Sequence, residues 1–177
     1  MKRKPFFSMM TAALLAVVFT SCGVSRQGHP NQKGQQNAPT EAIIQNNELI
    51  RKASQWQGKG DYPGVDDWET GYLQKGDTIY GGIPGQSEFY LSKASLEAAG
   101  GSKEKLWRSA QVKAHAKFGY REKVQAYVVL ADIVVATSIV KANPHLGEGG
   151  AIQYFVENYK EVLQPVSEPI KLQKDGD

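Results

Sequence analysis

The chain has 177 residues, with 18 glycines, one cysteine and a formal net charge of +3. Three of its cations lie within residues 1–21, so the remainder carries 18 basic and 18 acidic residues and is neutral. Neutrality argues against a strongly electrostatic nucleic-acid binder, and we expect no nucleic-acid partner. A single cysteine excludes an internal disulfide, so packing has to stabilise one domain of this size.

The beginning of the chain carries the features that predict its location. Three basic residues at positions 2–4 precede a mostly apolar run at 6–19, which is too short to cross about 30 Å of hydrocarbon as a helix and is typical of a secretory signal. The run ends in the sequence FTSCG at 19–23. Small residues before a cysteine at this place resemble the lipobox of bacterial lipoproteins. The resemblance implies cleavage before Cys22 and acylation of Cys22, a palmitate-type anchor that holds the chain on a membrane.

Composition divides the chain into three predicted segments. Residues 1–21 are the signal peptide. Residues 22–39 combine the lipidated cysteine with a tether rich in Gly, Gln and Asn, which has too little apolar surface to fold. Residues 40–177 are predicted to form a single α+β domain.

The first half of that domain is predicted to contain one helix and two strands. Thr40 is a plausible N-cap for an amphipathic helix that ends near residue 55. The following region, 57–86, is rich in Gly, Pro and Asp turn signals and leaves room for one short strand at about 78–83. A second strand is predicted over 88–96.

The second half is predicted to be mainly helical. A serine N-cap begins a helix over 102–141, kinked near Gly119, although the β-branched residues of 121–140 also permit a buried strand. A further amphipathic helix is predicted over 151–163 and a last strand over 166–172. These elements predict a long helix and shorter helices packed on a small β-sheet.

Aromatic residues in the turn-rich region have two interpretations. They form a platform for a sugar ring or another small ligand, or they pin a glycine-rich loop layer onto the core, which is the more common role. Trp56, Trp68 and Tyr72 are the possible ligand contacts. Replacing Trp68 by Ala separates the two interpretations, since only a core role costs folding stability.

The sequence does not favour a metal site or a set of catalytic residues. The acidic residues Asp61, Asp66, Asp67 and Glu69 do not have the spacing of a calcium-binding loop, so we predict no metal site and no cofactor.

The three histidines, His29, His115 and His145, include no i, i+4 pair typical of a zinc helix. His145 with Glu148 remains an acid/base pair only if the fold places a cleft there. The glycine run at 81–85 is not a phosphate loop, because its proline lacks a backbone donor.

The layout from about Trp68 onwards resembles the LPP-twenty-like family of small bacterial outer-membrane lipoproteins. Behind the lipobox and tether, a strand near 89–92 precedes a helix with small residues at Ala110, Ala114 and Ala116 that continues through an aliphatic stretch. The resemblance implies an α+β envelope protein with no agreed enzymatic activity.

We therefore expect a non-enzymatic lipoprotein with a structural or assembly role in the bacterial cell envelope. Its expected partners are the membrane, through lipid on Cys22, and an envelope protein, with the chain on the outer membrane facing the periplasm. The alternative is a glycan- or small-ligand-binding module that uses the aromatic loops, and a hydrolase ranks third.

Overall fold

Strands make up most of the ordered core of this chain. The computed structural model describes residues 38–174, and within them seven strands form one antiparallel sheet. The strands are β1 Glu69–Leu73, β2 Thr78–Ile83, β3 Phe89–Leu91, β4 Lys123–Val129, β5 Ile133–Ile139, β6 Ile152–Phe155 and β7 Leu163–Lys171. They lie in the order β1-β5-β6-β3-β2-β4-β7.

Four helices accompany the sheet in the described part of the chain. They are α1 Ala38–Ser54, α2 Lys93–Ala98, α3 Lys103–Ser109 and α4 Tyr159–Val162. None of those between residues 38 and 174 is long and apolar enough to cross a membrane. The result is a small mixed α+β domain.

The sheet has buried residues on both of its faces. Successive residues of β2 illustrate this: Tyr80 packs in one cluster with Leu106 and Trp107 of α3, whereas Ile79 packs in another with Tyr90 and Tyr127. A third cluster, at the β1 side of the sheet, holds α1 in place through Leu49, Ala53, Trp68, Ala136 and Phe155. Packing on both faces explains why apolar residues run almost continuously through the central strands.

Several predicted elements are confirmed. The helix predicted over 40–55 is α1, the strand at 78–83 is β2, and the last strand is β7, which begins earlier than predicted. Ser102 is the N-cap of α3, since its side chain accepts a hydrogen bond from the backbone N–H of Lys105. The predicted strand over 88–96 is shorter, because Ser92 ends it by capping α2 through the N–H of Ser95.

The predicted long helix over 102–141 is wrong. Only α3, seven residues long, is helical, and the region 121–140 forms β4 and β5. Apolar residues in this region satisfy helical spacing, but β-branched side chains are better accommodated on a pleated sheet. Pairing of β4 with β2 and β7, and of β5 with β1 and β6, decides the conformation.

The helix predicted over 151–163 is also wrong. It is the strand β6 followed by α4, a single turn. One strand, β1, was missed altogether, because its sequence ETGYL lies among turn residues and has little apolar content. Hydrogen bonding to β5, from Glu69 opposite Thr137 to Leu73 opposite Ile133, makes this segment a strand despite its sequence.

Candidate functional site

A cleft of about 1150 Å³ opens where β2 ends. Ile83 and Pro84 line one wall, and residues 112–116 and 118–123 line the rest. Most of the lining therefore belongs to the connection between α3 and β4, residues 110–122, which we call the α3–β4 loop.

Hydrogen bonds within the α3–β4 loop hold its tip in one shape. The backbone N–H groups of His115 and Gly119 each donate to the other residue's carbonyl, over 2.9 and 2.8 Å. The His115 Nδ1 accepts from the N–H groups of Lys117 and Phe118 at 3.1 and 3.2 Å. The imidazole also stacks on the Phe118 ring at 4.8 Å between centroids. A loop bonded in this way is organised before any ligand arrives.

Three contacts fasten the same loop to the domain. The indole N–H of buried Trp107 donates to the carbonyl of Arg121 over 2.7 Å. Lys113 Nζ lies 2.6 Å from a carboxylate oxygen of Asp61, and this hydrogen bond raises the pKa of the lysine. The Arg121 side chain lies against β2 at Gly82, where an added Cβ would approach Arg121 Nη1 and the Trp107 ring to 2.8 Å.

The charges around the cleft are unbalanced. Arg121 and Lys123 are exposed, and no carboxylate of the described residues lies within 4 Å of either cation. Lys123 is directly opposite Lys171 in the β4–β7 ladder, and like charges in this arrangement repel each other and destabilise the pair. The acid in the lining, Glu122, lies 3.8 Å from Lys103. Of these three cations, Arg121 and Lys123 line the cleft, and their chemistry suits an anion.

A second polar cluster lies in the interior, centred on Asp66. This carboxylate is 7 % exposed and accepts hydrogen bonds from the side-chain amides of Gln57 and Gln153, both at 2.7 Å, and from the backbone N–H of Lys141 at 2.8 Å. Gln153 also donates to Ser138 at 2.9 Å. The cluster links the loop after α1 to β5 and β6.

The side-chain oxygen of Gln57 is also bonded within this interior cluster. The Gln57 side-chain oxygen accepts from the backbone N–H of Asp66 at 2.9 Å and from the indole of Trp68 at 3.0 Å. A fully bonded buried network rigidifies a fold. Sequence reasoning missed Gln57 and Gln153, since lone glutamines with distant partners leave no local signal.

The three predicted ligand contacts do not form one platform. Trp56 and Trp68 both contact the Phe89 ring, at 6.5 and 6.1 Å between centroids, but Trp68 is only 9 % exposed and Trp56 is 58 % exposed. Tyr72, on β1, is 72 % exposed, and among the described residues its ring contacts neither tryptophan. Trp68 therefore has the environment of a core residue.

The acidic candidates Glu148 and Asp67 are bonded to basic side chains. Glu148 is bonded to Arg108 at 2.5 Å, which lowers the pKa of the carboxyl, and no hydrogen bond joins it to His145 within residues 38–174. Asp67 pairs with Lys141 Nζ at 2.7 Å. Over the described range, no group of three His, Cys, Asp or Glu side chains is arranged to hold a metal ion.

Comparison with known proteins identifies the family. The family model of the Rhs1 C-terminal toxin domain matches residues 45–158, well over half of the chain. The chain belongs to this family. It is similar to a solved structure described as Rhs1-CT in complex with cognate immunity protein RhsI1, with 48 % identity and a TM-score of 0.67, covering 70 % of this chain and 96 % of that one.

Two further solved structures share less with this toxin domain. Tse6 in complex with Tsi6 has 14 % identity and a TM-score of 0.44, covering 70 % of this chain and 98 % of that one. Tne2 in complex with Tni2 has 13 % identity and a TM-score of 0.44, covering 62 % and 95 %. These values are too low to support an argument. No curated protein matches the chain.

Membership of a toxin family overturns the functional expectations drawn from the sequence. The lipoprotein assignment is wrong, both as a lipobox-type bacterial lipoprotein and as a resemblance to the LPP-twenty-like family. The structural or assembly role in the envelope, the expected envelope partner, the membrane attachment and the outer-membrane location are wrong with it. The expectation of a non-enzymatic protein is overturned with them, and the glycan-binding alternative has no support. The layout that suggested the lipoprotein family depended on a long helix that the chain does not form.

The predicted signal peptide, residues 1–21, and Cys22 lie outside the described residues. The predicted tether, 22–39, overlaps them only at its last two residues, where α1 begins. The structure therefore does not test Cys22 as a site, whereas the membrane attachment inferred from it is overturned by the family.

Proposed function

We propose that this chain is the toxin domain of an effector, that it harms a target cell by an enzymatic reaction on an anionic substrate, and that a cognate immunity protein neutralises it. The observation that carries the proposal is the toxin-family match over residues 45–158. The relative at 48 % identity, solved with its cognate immunity protein, supports the partner.

The cleft at the end of β2 supports an anionic substrate. Arg121 and Lys123 line it without carboxylate partners among the described residues, and a guanidinium matches phosphate or carboxylate through two parallel hydrogen bonds. The exposed ring of Phe118 offers a surface on which a planar group can stack. The firm shape of the α3–β4 loop lowers the entropy lost on binding.

Toxicity is tested by inducible expression in bacterial cells, with and without the immunity protein. The wild-type chain is expected to stop growth, and the immunity protein to restore it. Arg121→Ala is expected to weaken toxicity by about tenfold or more, as loss of roughly 1.4 kcal/mol of binding would. Arg51→Ala, which removes the same charge from the exposed face of α1, should remain as toxic as the wild type.

Enzymatic activity is tested with the purified chain. Wild type and Arg121→Ala are incubated separately with pooled cellular nucleotides, RNA and DNA, and the products are compared by mass spectrometry. We expect the wild type to convert one of these pools catalytically and the variant to be slower. A toxic chain that changes none of them would refute an enzymatic action on anionic substrates of these classes.

A further inference from the structure

One residue at the start of the α3–β4 loop has a strained backbone. Gln111 has a φ of 56°, in the left-handed region that residues other than glycine seldom adopt. Strained positions of this kind persist only where the surrounding structure fixes them, and they are concentrated at functional sites. Gln111 is 7 % exposed and immediately precedes Val112, the first loop residue that lines the cleft. Its buried side chain is therefore placed to fix where the cleft wall begins.

The side-chain amide of Gln111 joins the loop to a neighbouring turn. Its Nε2 donates to the backbone carbonyls of Arg108 at 3.0 Å and of Gly147 at 2.8 Å. Gly147 approaches the end of α3 so closely that an added Cβ would lie 2.5 Å from the Arg108 carbonyl oxygen. Because both partners are carbonyl acceptors, the amide nitrogen must face them, and a rotated amide would set oxygen against oxygen. This pair of bonds therefore also fixes where the Gln111 oxygen lies.

The Oε1 atom of Gln111 is buried, and among the described residues it has no hydrogen-bond partner. A buried acceptor without a hydrogen bond is rare in folded proteins and calls for an explanation. Gln111 lines a second, small cavity of about 30 Å³, together with the polar side chains of Gln57, Asp66 and Asn143. A polar cavity of this size holds one water molecule, provided that the water finds two to four partners.

The polar groups of this cavity are able to satisfy a water. Asn143 Nδ2 donates to the Asp61 carbonyl at 2.8 Å, and within the described residues its second N–H is left for another acceptor. The Asp66 carboxylate accepts three hydrogen bonds, of the roughly four that a carboxylate can accept. The lining therefore offers acceptors at Gln111 and Asp66 and a donor at Asn143, which is the combination that one water completes.

We propose that this cavity holds one buried water molecule that donates to Gln111 Oε1, and that the water and the Gln111 amide together position the α3–β4 loop along the cleft. The positioning role rests on the proposed function, because that function makes the cleft a substrate site. Gln111 itself touches no substrate. It connects the loop to the Gly147 turn directly and, through the water, to the polar groups around Asp66.

A high-resolution crystal structure of the full wild-type chain tests the water site without any variant or assay. We expect an ordered water at about 2.7–3.2 Å from Gln111 Oε1, bonded to at least one further polar group of the cavity. An empty cavity, or a protein donor bonded to Gln111 Oε1, overturns the site.

Amide hydrogen exchange tests the positioning role. Gln111→Met removes the donor and the acceptor from a side chain of similar length, and Gln111→Gly removes both while relieving the backbone strain. Ser167→Gly is the matched control, because Ser167 also has a positive φ, 61°, but is exposed on β7. We expect the N–H of Val112, bonded to the Trp107 carbonyl at 2.8 Å, to exchange about tenfold faster or more in both Gln111 variants. It should be unchanged in Ser167→Gly.

The β2–β4 ladder separates local loosening from a general loss of stability. Its amides should keep their wild-type exchange rates in the Gln111 variants, since local opening leaves the rest of the sheet intact. Equal acceleration in the ladder and at Val112, or no acceleration at Val112, overturns the positioning role. Should Gln111→Met fail to fold, Gln111→Gly decides the same question.

Kinetics on the substrate pool that the wild type converts show whether the loop positions substrate. Both Gln111 variants are expected to raise KM more than they lower kcat, because they loosen a binding wall and remove no reacting group. Unchanged KM in folded variants overturns a role in substrate positioning. A wild type that is harmless and converts no pool defeats the proposed function, whereas the crystal structure and the exchange rates still decide the water site and the loop.

Discussion

Removing the Asp66 carboxylate tests whether the interior polar cluster stabilises the fold. In Asp66→Ala, the side-chain amide of Gln57 and the backbone N–H of Lys141 lose an acceptor in a partly buried site, whereas Gln153 keeps Ser138. Hydrogen bonds to charged groups contribute about 1.5–3 kcal/mol each, so two uncompensated losses should cost about 4 kcal/mol. For a chain of this length, that corresponds to a fall in melting temperature of roughly 12 °C.

The neighbouring residue provides a matched control. The Asp67 side chain also bonds Lys141, through Nζ, but it is 91 % exposed. An exposed ion pair contributes about 0.5 kcal/mol, so Asp67→Ala should barely change stability.

Equilibrium urea unfolding followed by tryptophan fluorescence measures both variants, because Trp68 is bonded to the same cluster. Asp66→Asn separates the loss of an acceptor from a change of shape. Its amide nitrogen would face donors, so we expect it to be almost as unstable as Asp66→Ala. If the free energies of unfolding of Asp66→Ala and Asp67→Ala differ by less than about 1 kcal/mol, water replaces the lost hydrogen bonds and the cluster does not stabilise the fold.

Three further predictions concern packing and pH. Gly82→Ala should destabilise the fold by about 1–3 kcal/mol, because its Cβ would press on the Trp107 ring. Gly64→Ala, whose Cβ would have no atom within 4 Å, should change the free energy of unfolding by no more than about 0.5 kcal/mol. Urea unfolding midpoints measure both variants, and equal destabilisation would contradict the close contact at Gly82. Burial raises the pKa of the Tyr90 hydroxyl, so the unfolded chain loses its proton first as pH rises above about 10 and wild-type stability should fall. Tyr90→Phe should fall less steeply over that pH range, and parallel curves would show that the buried phenol is not responsible. Trp68→Ala should cost about 3–5 kcal/mol and Tyr72→Ala about 0.5 kcal/mol or less in thermal melts, and a stable Trp68→Ala would restore a surface role for that residue.

Local structure could be predicted from the sequence where the interacting groups lie within one short segment. Ser102 caps α3 through an N–H three residues later, and Thr78–Ile83 is a strand between turn residues, so both were predictable. The region 121–140 was not, because its apolar residues satisfy helical and strand spacing alike. The order of the sheet, in which β4 pairs with β2 and β7, removes the ambiguity.

The candidate site depended on tertiary structure to a greater degree. Lys123 and Lys171 are unremarkable surface lysines in the sequence, and only the β4–β7 register places them opposite each other. The α3–β4 loop was predicted to be part of a helix, so the prediction did not place Phe118 or Arg121 in a cleft. The lipobox-like pattern indicated a site at Cys22, and that pattern contains no information on how residues 38–174 fold.

The sequence by itself determined the helix caps and turns, which depend on short-range chemistry. It also showed that residues 22–177 have balanced charge and enough apolar residues for one α+β domain. Only the tertiary structure decided which apolar segments are strands, where the cleft opens and which polar groups are buried together. The physical reason is separation along the chain. The bond between Gln153 and Asp66 spans 87 residues, and such partners become neighbours only when the whole sheet has formed.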